Sequence, residues 1–221
     1  MNLTTQCIRA GQQGNPIQMP VEQLFPTQVY RARLSSRGNA GLIRDLETAC
    51  RSVSRDDAAG QSWSRNHGYQ GYTSYASLND LPARIPAFKD LLEALQPHIN
   101  AFAKALQFDL GRRQLACNSL WINILKPGGV HTGHIHPHSV ISGTCYVTVP
   151  KGAGALKLED PRLGLMMAAP TRRASAPREM QPFVYLEPEP GGIILFESWL
   201  RHEVEPNRAR DDRISISFNY A

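Results

Sequence analysis

The rhythm of apolar and polar positions changes near residue 114. Ahead of that point the chain reads as framework. Residues 24–34 set Val29, Arg31 and Arg33 against Tyr30, Ala32 and Leu34, the period-two signature of a half-buried strand. From residue 39 to about 53, Leu42, Ile43, Leu46, Ala49 and Cys50 recur at three and four, which predicts a helix. A second helix is expected to start between Pro82 and Pro86 and to carry Phe88, Leu91, Leu95, Ile99, Phe102 and Leu106, with Pro97 kinking or splitting it. His98 sits beside that break without a histidine neighbour at helical spacing and reads as structural. Residues 1–20, polar with Gly and Pro, read as an irregular arm.

Residues 54–81 show no clear period and carry Trp63, Tyr69, Tyr72 and Tyr75 among glycines and serines. They read as a long aromatic loop. Two readings stay open: it walls a substrate pocket, with Trp63, Tyr69 and Tyr72 as the wall, or its aromatics simply cover the core.

Beyond residue 114 the pattern becomes short apolar runs separated by Gly and Pro, at 115–125, 140–149, 155–158, 183–186, 192–196, 202–204 and 214–220. Short strands with turn signals between them predict a mainly β fold with flanking helices, of the sandwich, jelly-roll or barrel kind. Residues 161–180 are too long for a hairpin turn and read as a lid or an ordered excursion over the barrel mouth. The chain is expected to form one domain over 1–221, with a mixed N-terminal framework in 1–113 and the β core in 114–221.

Composition adds bounds. The length of 221 residues allows a sizeable core, and the apolar and charged fractions are those of an ordinary globular protein. A formal charge of +5 invites an anionic partner, yet the arginines are scattered singly or in pairs, with Arg172, Arg173 and Arg178 in one Pro/Ala-rich loop. A solvated basic surface fits this better than a nucleic-acid face. The four cysteines contain no C-x-x-C pair, so a zinc ribbon or thioredoxin motif is excluded and reduced thiols are expected. No apolar run has the length of a signal-peptide core or a membrane span, and the expected location is the cytoplasm.

The chemistry concentrates in residues 128–139, where His131, His134, His136 and His138 place four of the seven histidines within eight positions. In an extended segment, residues i and i+2 project to one face, so His134 and His136 can offer two imidazoles to one ion. His136 and His138 share that parity, but Pro137 tends to close a strand, which argues for the first pair. His131 is out of phase and reads as a rim residue or a support behind the ligands, as His138 does. His202, the only histidine after the cluster and just beyond an apolar run, is the natural third ligand. Three protein ligands leave coordination positions open for O2 or substrate.

Arg213, Ser215 and Ser217 alternate with Ile214, Ile216 and Phe218. An inward arginine with a hydroxyl two residues on can grip a carboxylate by charge-assisted hydrogen bonds. The other reading has Arg213 exposed and paired to Asp211 or Asp212.

The order H-x-H, Pro190-Gly191-Gly192 leading an apolar strand, His202, then Arg213-x-Ser215 eleven positions on resembles the iron(II)/2-oxoglutarate-dependent oxygenase superfamily. It looks closest to a bacterial and phage group in which a His-Pro segment precedes Ser-Gly and an aromatic strand, here residues 136–147. The resemblance covers about residues 114–221. It implies a double-stranded β-helix (jelly roll, cupin-like) with Fe(II) in its mouth and 2-oxoglutarate as cosubstrate, the distal carboxylate resting on Arg213 and Ser215 and Tyr146 or Asn123 lining the same pocket. It further implies consumption of O2, release of succinate and CO2, and hydroxylation of an unidentified substrate. One departure stands out: the superfamily usually has H-x-D or H-x-E, and no carboxylate follows His136 before Glu159 and Asp160. Either the site uses three histidines or Asp160 folds back to serve as the acid. A three-histidine set also suits a cupin-like metalloenzyme that does not use 2-oxoglutarate, or zinc, and a metal-free jelly-roll binding module is the reading from another class.

Overall fold

In β10 (Arg213–Tyr220), Ile214, Ile216, Phe218 and Tyr220 enter one core while Arg213, Ser215, Ser217 and Asn219 face the other way. This alternation organises the fold. The computed structural model describes residues 21–34 and 41–221; the expected N-terminal arm lies outside the described residues.

β10 lies inside a six-stranded antiparallel sheet in the order β1-β8-β5-β10-β3-β2, built with β1 (Val29–Arg33), β2 (Gly71–Thr73), β3 (Cys117–Leu125), β5 (Ile141–Thr148) and β8 (Gly192–Glu197). The order of a second, four-stranded sheet is β4-β9-β6-β7, made of β4 (His131–His134), β6 (Leu156–Glu159), β7 (Phe183–Leu186) and β9 (His202–Val204). The two sheets form a double-stranded β-helix, the jelly roll expected for the second half.

The helices cover the outer face of the larger sheet. Helix α1 (Leu42–Asp56) buries Leu42, Leu46, Cys50 and Val53. Helix α4 (Pro86–Ala105) buries Phe88, Leu91, Leu95, Ile99 and Phe102, and both share a core with Ile122, Ile193, Leu195 and Ile216 of the sheet. Each fully buried Leu or Phe in that layer contributes about 1.5–3 kcal/mol. A smaller apolar cluster between the sheets, with Leu125, Leu156, Ile194, Phe196 and Val204, closes one side of the barrel. Among the described residues no helix is long and apolar enough to cross a membrane.

Two expectations need correction. Residues 54–81 are not one loop: they contain helix α2 (Ala58–Asn66), strand β2 and helix α3 (Leu81–Arg84). Asp57 starts α2 by accepting a hydrogen bond from the Gly60 N–H at 3.0 Å, and its other carboxylate oxygen takes the hydroxyls of Tyr72 and Ser77. One carboxylate thus ties helix, strand and following turn together. Gly71 lets β2 reach the sheet edge, since a side chain there would meet the Ile124 carbonyl. Pro97, second, does not split α4. It is exposed, so the carbonyl it leaves unpaired faces water, while buried Leu95 and Ile99 hold the turn on the core. His98 hydrogen-bonds the Tyr30 hydroxyl at 2.9 Å and ties α4 to β1.

Candidate metal centre

The barrel mouth gathers side chains from β4, β9 and the turn after β4. His134 pairs with His202 across the β4–β9 ladder, and Leu158 of β6 flanks His202 on its other side. His136 lies two residues beyond the end of β4, where its N–H donates to the Ser198 carbonyl at 3.0 Å. His134, His136 and His202 each offer a ring nitrogen, all within 4.8 Å of one another, and the Nε2 atoms of His136 and His202 are 3.3 Å apart.

Hydrogen bonding fixes two tautomers. The Nδ1 of His134 lies 2.7 Å from the Thr132 carbonyl oxygen and that of His202 2.9 Å from the Leu200 carbonyl oxygen. A carbonyl only accepts, so both rings carry their proton on Nδ1 and keep the Nε2 lone pair free. Burial pulls the pKa of His202 down to about 3 and of His136 to about 4, with the neighbouring imidazoles adding to it. Both are therefore neutral at pH 7, the state that ligates a cation. The donor set fits a borderline divalent ion such as iron(II) or zinc(II), with positions left over for small molecules.

Behind the histidines the sheet's inner face is polar. Trp121, Asn123, Thr144, Ser215 and Ser217 line the same cavity as the three imidazoles. Asn123 touches Thr73 Oγ1 at 3.1 Å and Ser217 Oγ at 3.0 Å. Arg213 is 2% exposed, and its one hydrogen-bond partner among the described residues is Ser215 Oγ at 3.1 Å. Among the described residues its Nε has no partner, nor does the hydroxyl of Tyr146, whose ring centroid lies 5.1 Å from the guanidinium carbon. Burial lowers the arginine's pKa while the neighbouring tyrosines oppose that shift. Asp212, the partner in the exposed reading of Arg213, instead faces Arg51 at 3.5 Å. A buried cation with orphaned donors around it is the complement of a carboxylate.

Other expected residues fall elsewhere. His131 is drawn inward because the β4–β9 register shifts between His131 and His134, and its Nε2 meets the Tyr69 hydroxyl. Tyr69 thus joins the barrel interior. Tyr72 does not: it lies in the helix-side core, bonded to Asp57. Trp63 stacks on His67 at 4.2 Å and is not among the cavity's lining residues. His138 is exposed with φ of 67°. Asp160 does not fold back as the acid: Arg162 holds both its oxygens, at 3.0 and 2.9 Å. Reasoning from the sequence passed over Trp121, whose ring lies 5.5 Å from that of His136. Its place two residues before Asn123 on one strand was the available signal.

Residues 119–219 match the model of a family described as "Putative 2OG-Fe(II) oxygenase". This stretch, just under half of the chain, is similar to the iron(II)/2-oxoglutarate-dependent oxygenase superfamily. Iron(II) and 2-oxoglutarate are the cofactor and cosubstrate that define that superfamily. Similar folds include a Pseudomonas putida prolyl-4-hydroxylase, at 18% identity and TM-score 0.56 over 88% of this chain and 92% of that one. They also include the epimerase SnoN in complex with Fe3+, alpha-ketoglutarate and nogalamycin RO, at 14% identity and TM-score 0.57 over 86% and 78%. A 2OG-Fe(II) oxygenase family protein from Burkholderia pseudomallei aligns over 62% of this chain and 58% of its own, with 17% identity and TM-score 0.46. No curated protein matches the sequence.

Proposed function

We propose that this oxygenase is a hydroxylase that couples oxidation of 2-oxoglutarate to succinate and CO2 with insertion of one oxygen atom from O2 into a C–H bond of its substrate. The observation that carries the reading is the pairing of two features on one inner surface: three imidazoles meeting at a point, and a buried Arg213 with unused donors. Either alone would suit several chemistries. Together they suit a metal-bound dicarboxylate.

On this reading His134, His136 and His202 hold iron through Nε2. The guanidinium of Arg213, the Ser215 hydroxyl and the Tyr146 hydroxyl bind the distal carboxylate of 2-oxoglutarate, and Asn123 borders its chain. When bound, iron(II) and 2-oxoglutarate supply the oxidising chemistry with O2. The protein's part is placement and exclusion. The Nδ1–H bonds to Thr132 and Leu200 keep His134 and His202 from turning. Leu156 and Val204, on the wall opposite the polar sheet face, and Phe196 beside it keep water from the cavity. Trp121, backed by exposed Tyr75 at 5.3 Å, forms the wall beside His136 that a substrate would meet, with Tyr69 on the His131 side. The three-histidine set replaces the usual carboxylate by a neutral ligand, so the bound ion keeps one more unit of positive charge.

Metal analysis tests this reading. After anaerobic reconstitution with iron(II) and desalting, the chain should hold one iron, and His202→Ala should hold none. A wild-type chain without stoichiometric metal would overturn the proposal.

A further inference from the structure

The three imidazoles are not held in the same way. His134 and His202 are each pinned by a ring Nδ1–H bond to a carbonyl two residues back in their own segment. Among the described residues His136 has no such bond at its ring Nδ1, and it follows the end of β4. Its fixed points are the backbone N–H bond to the Ser198 carbonyl and the flank of Trp121. The Ser198 N–H returns to the Val140 carbonyl at 3.0 Å, so the turn after β8 grips the His136 segment at both ends.

That turn is anchored by a line of polar groups inside the sheet. Ser198 Oγ lies 2.7 Å from Ser142 Oγ, Ser142 Oγ lies 2.7 Å from Asn219 Oδ1, and the Asn219 amide donates to Ser119 Oγ at 3.0 Å. Ser142 and Ser198 are each 1% exposed. The direction of the chain follows from counting protons. Asn219 Oδ1 can only accept, so the single hydroxyl proton of Ser142 goes to it, and Ser198 must donate to Ser142. All donors therefore point one way, from Ser198 through Ser142 to Asn219, and such a chain polarises cooperatively. Buried hydroxyls inside a sheet stabilise little by themselves; their value is in fixing one arrangement.

We infer that Ser198, Ser142 and Asn219 are positioning residues for the third metal ligand: they lock the turn after β8, and through its carbonyl they set where His136 presents Nε2. The inference rests on the metal centre proposed above. Outer partners that orient a ligand typically change metal affinity by about 10–100-fold when removed. Losing one hydroxyl from this line should fall at the low end, because the backbone bond from His136 to Ser198 survives.

The test uses cobalt(II) as the probe, titrated anaerobically and followed by its visible d–d absorption. Ser198→Ala should bind cobalt about tenfold more weakly than wild type, with an altered d–d spectrum. Ser142→Ala, which removes the acceptor from another strand, should do the same and serves where Ser198→Ala folds poorly. In a His136→Ala background Ser198→Ala should change the remaining affinity by less than about twofold, since the ligand it positions is gone. Wild-type affinity and spectrum in both single variants would overturn the inference while leaving the metal centre standing, as would an undiminished Ser198→Ala effect without His136. A wild-type chain that takes up no cobalt would overturn the metal centre and this inference with it.

Discussion

Replacing Arg213 by Met should move two properties in opposite directions. In the free protein the guanidinium is buried and, among the described residues, has one hydrogen bond, to Ser215, and an unpaired Nε. Replacing a buried charge by an apolar side chain of similar volume is often neutral or stabilising by about 1–4 kcal/mol. The Tyr146 ring at 5.1 Å returns about 0.5–2 kcal/mol to the native arginine, so the middle of the two ranges leaves a net gain of about 1 kcal/mol. With 2-oxoglutarate the sign reverses. Removing the charged partner of a buried carboxylate costs about 2–5 kcal/mol, or roughly 30- to 4,000-fold in affinity. The assay is thermal unfolding of the Mn(II)-loaded protein without O2, with and without 2-oxoglutarate. For wild type at about one hundred times Kd, the ligand adds about 2.7 kcal/mol. In a chain of this size that is a rise in Tm of about 5–11 °C. Arg213→Met should melt no lower than wild type without 2-oxoglutarate and show no rise with it. A variant that melts far below wild type, or keeps the ligand-induced rise, would refute the reasoning.

His134→Ala and His202→Ala should each reduce iron(II) retention by more than about 100-fold, whereas exposed His138→Ala should leave it unchanged, as read by metal content after desalting. Asp57→Ala should destabilise the fold by about 1–3 kcal/mol at pH 7 in chemical denaturation, because it frees α2's first turn and the hydroxyls of Tyr72 and Ser77. Burial alone would raise the pKa of Asp57, but the hydrogen bonds from Ser77, Gly60 and Tyr72 outweigh it and the pKa is lowered. A carboxylate with a depressed folded pKa contributes stability that is present above its unfolded pKa near 4 and lost as pH falls through the folded value. The gap between wild type and Asp57→Ala should therefore narrow below about pH 4.

The β core was legible because its strands alternate cleanly: Ile214, Ile216 and Phe218 against Arg213, Ser215 and Ser217 encode two faces and so the direction of the arginine. The same rule explains what was missed. Parity placed His131 out of phase with His134, but the register shift between them re-aims His131 toward Tyr69, and a shift of this kind leaves no mark in a run of polar residues. Helix α2 escaped notice because Ala58, Gly60, Ser62 and Ser64 carry no apolar stripe; its stability comes from the Asp57 cap and from contacts with a strand thirteen residues past its start. Pro97 misled for the opposite reason. A local rule predicted a kink or a split, and packing of Leu95 and Ile99 on the core keeps the helix unsplit. The Ser198–Ser142–Asn219 line joins residues 56 and 77 positions apart, a separation at which no local pattern speaks.

Whether the barrel performs the reaction is tested most directly by succinate formation. Purified protein with iron(II), ascorbate, O2 and 2-oxoglutarate labelled in its carbon chain should release labelled succinate, slowly without substrate and faster with it. His202→Ala and Arg213→Met should release none. Absence of succinate from an iron-loaded, 2-oxoglutarate-saturated wild type, even uncoupled, or equal release by His202→Ala, would contradict the account.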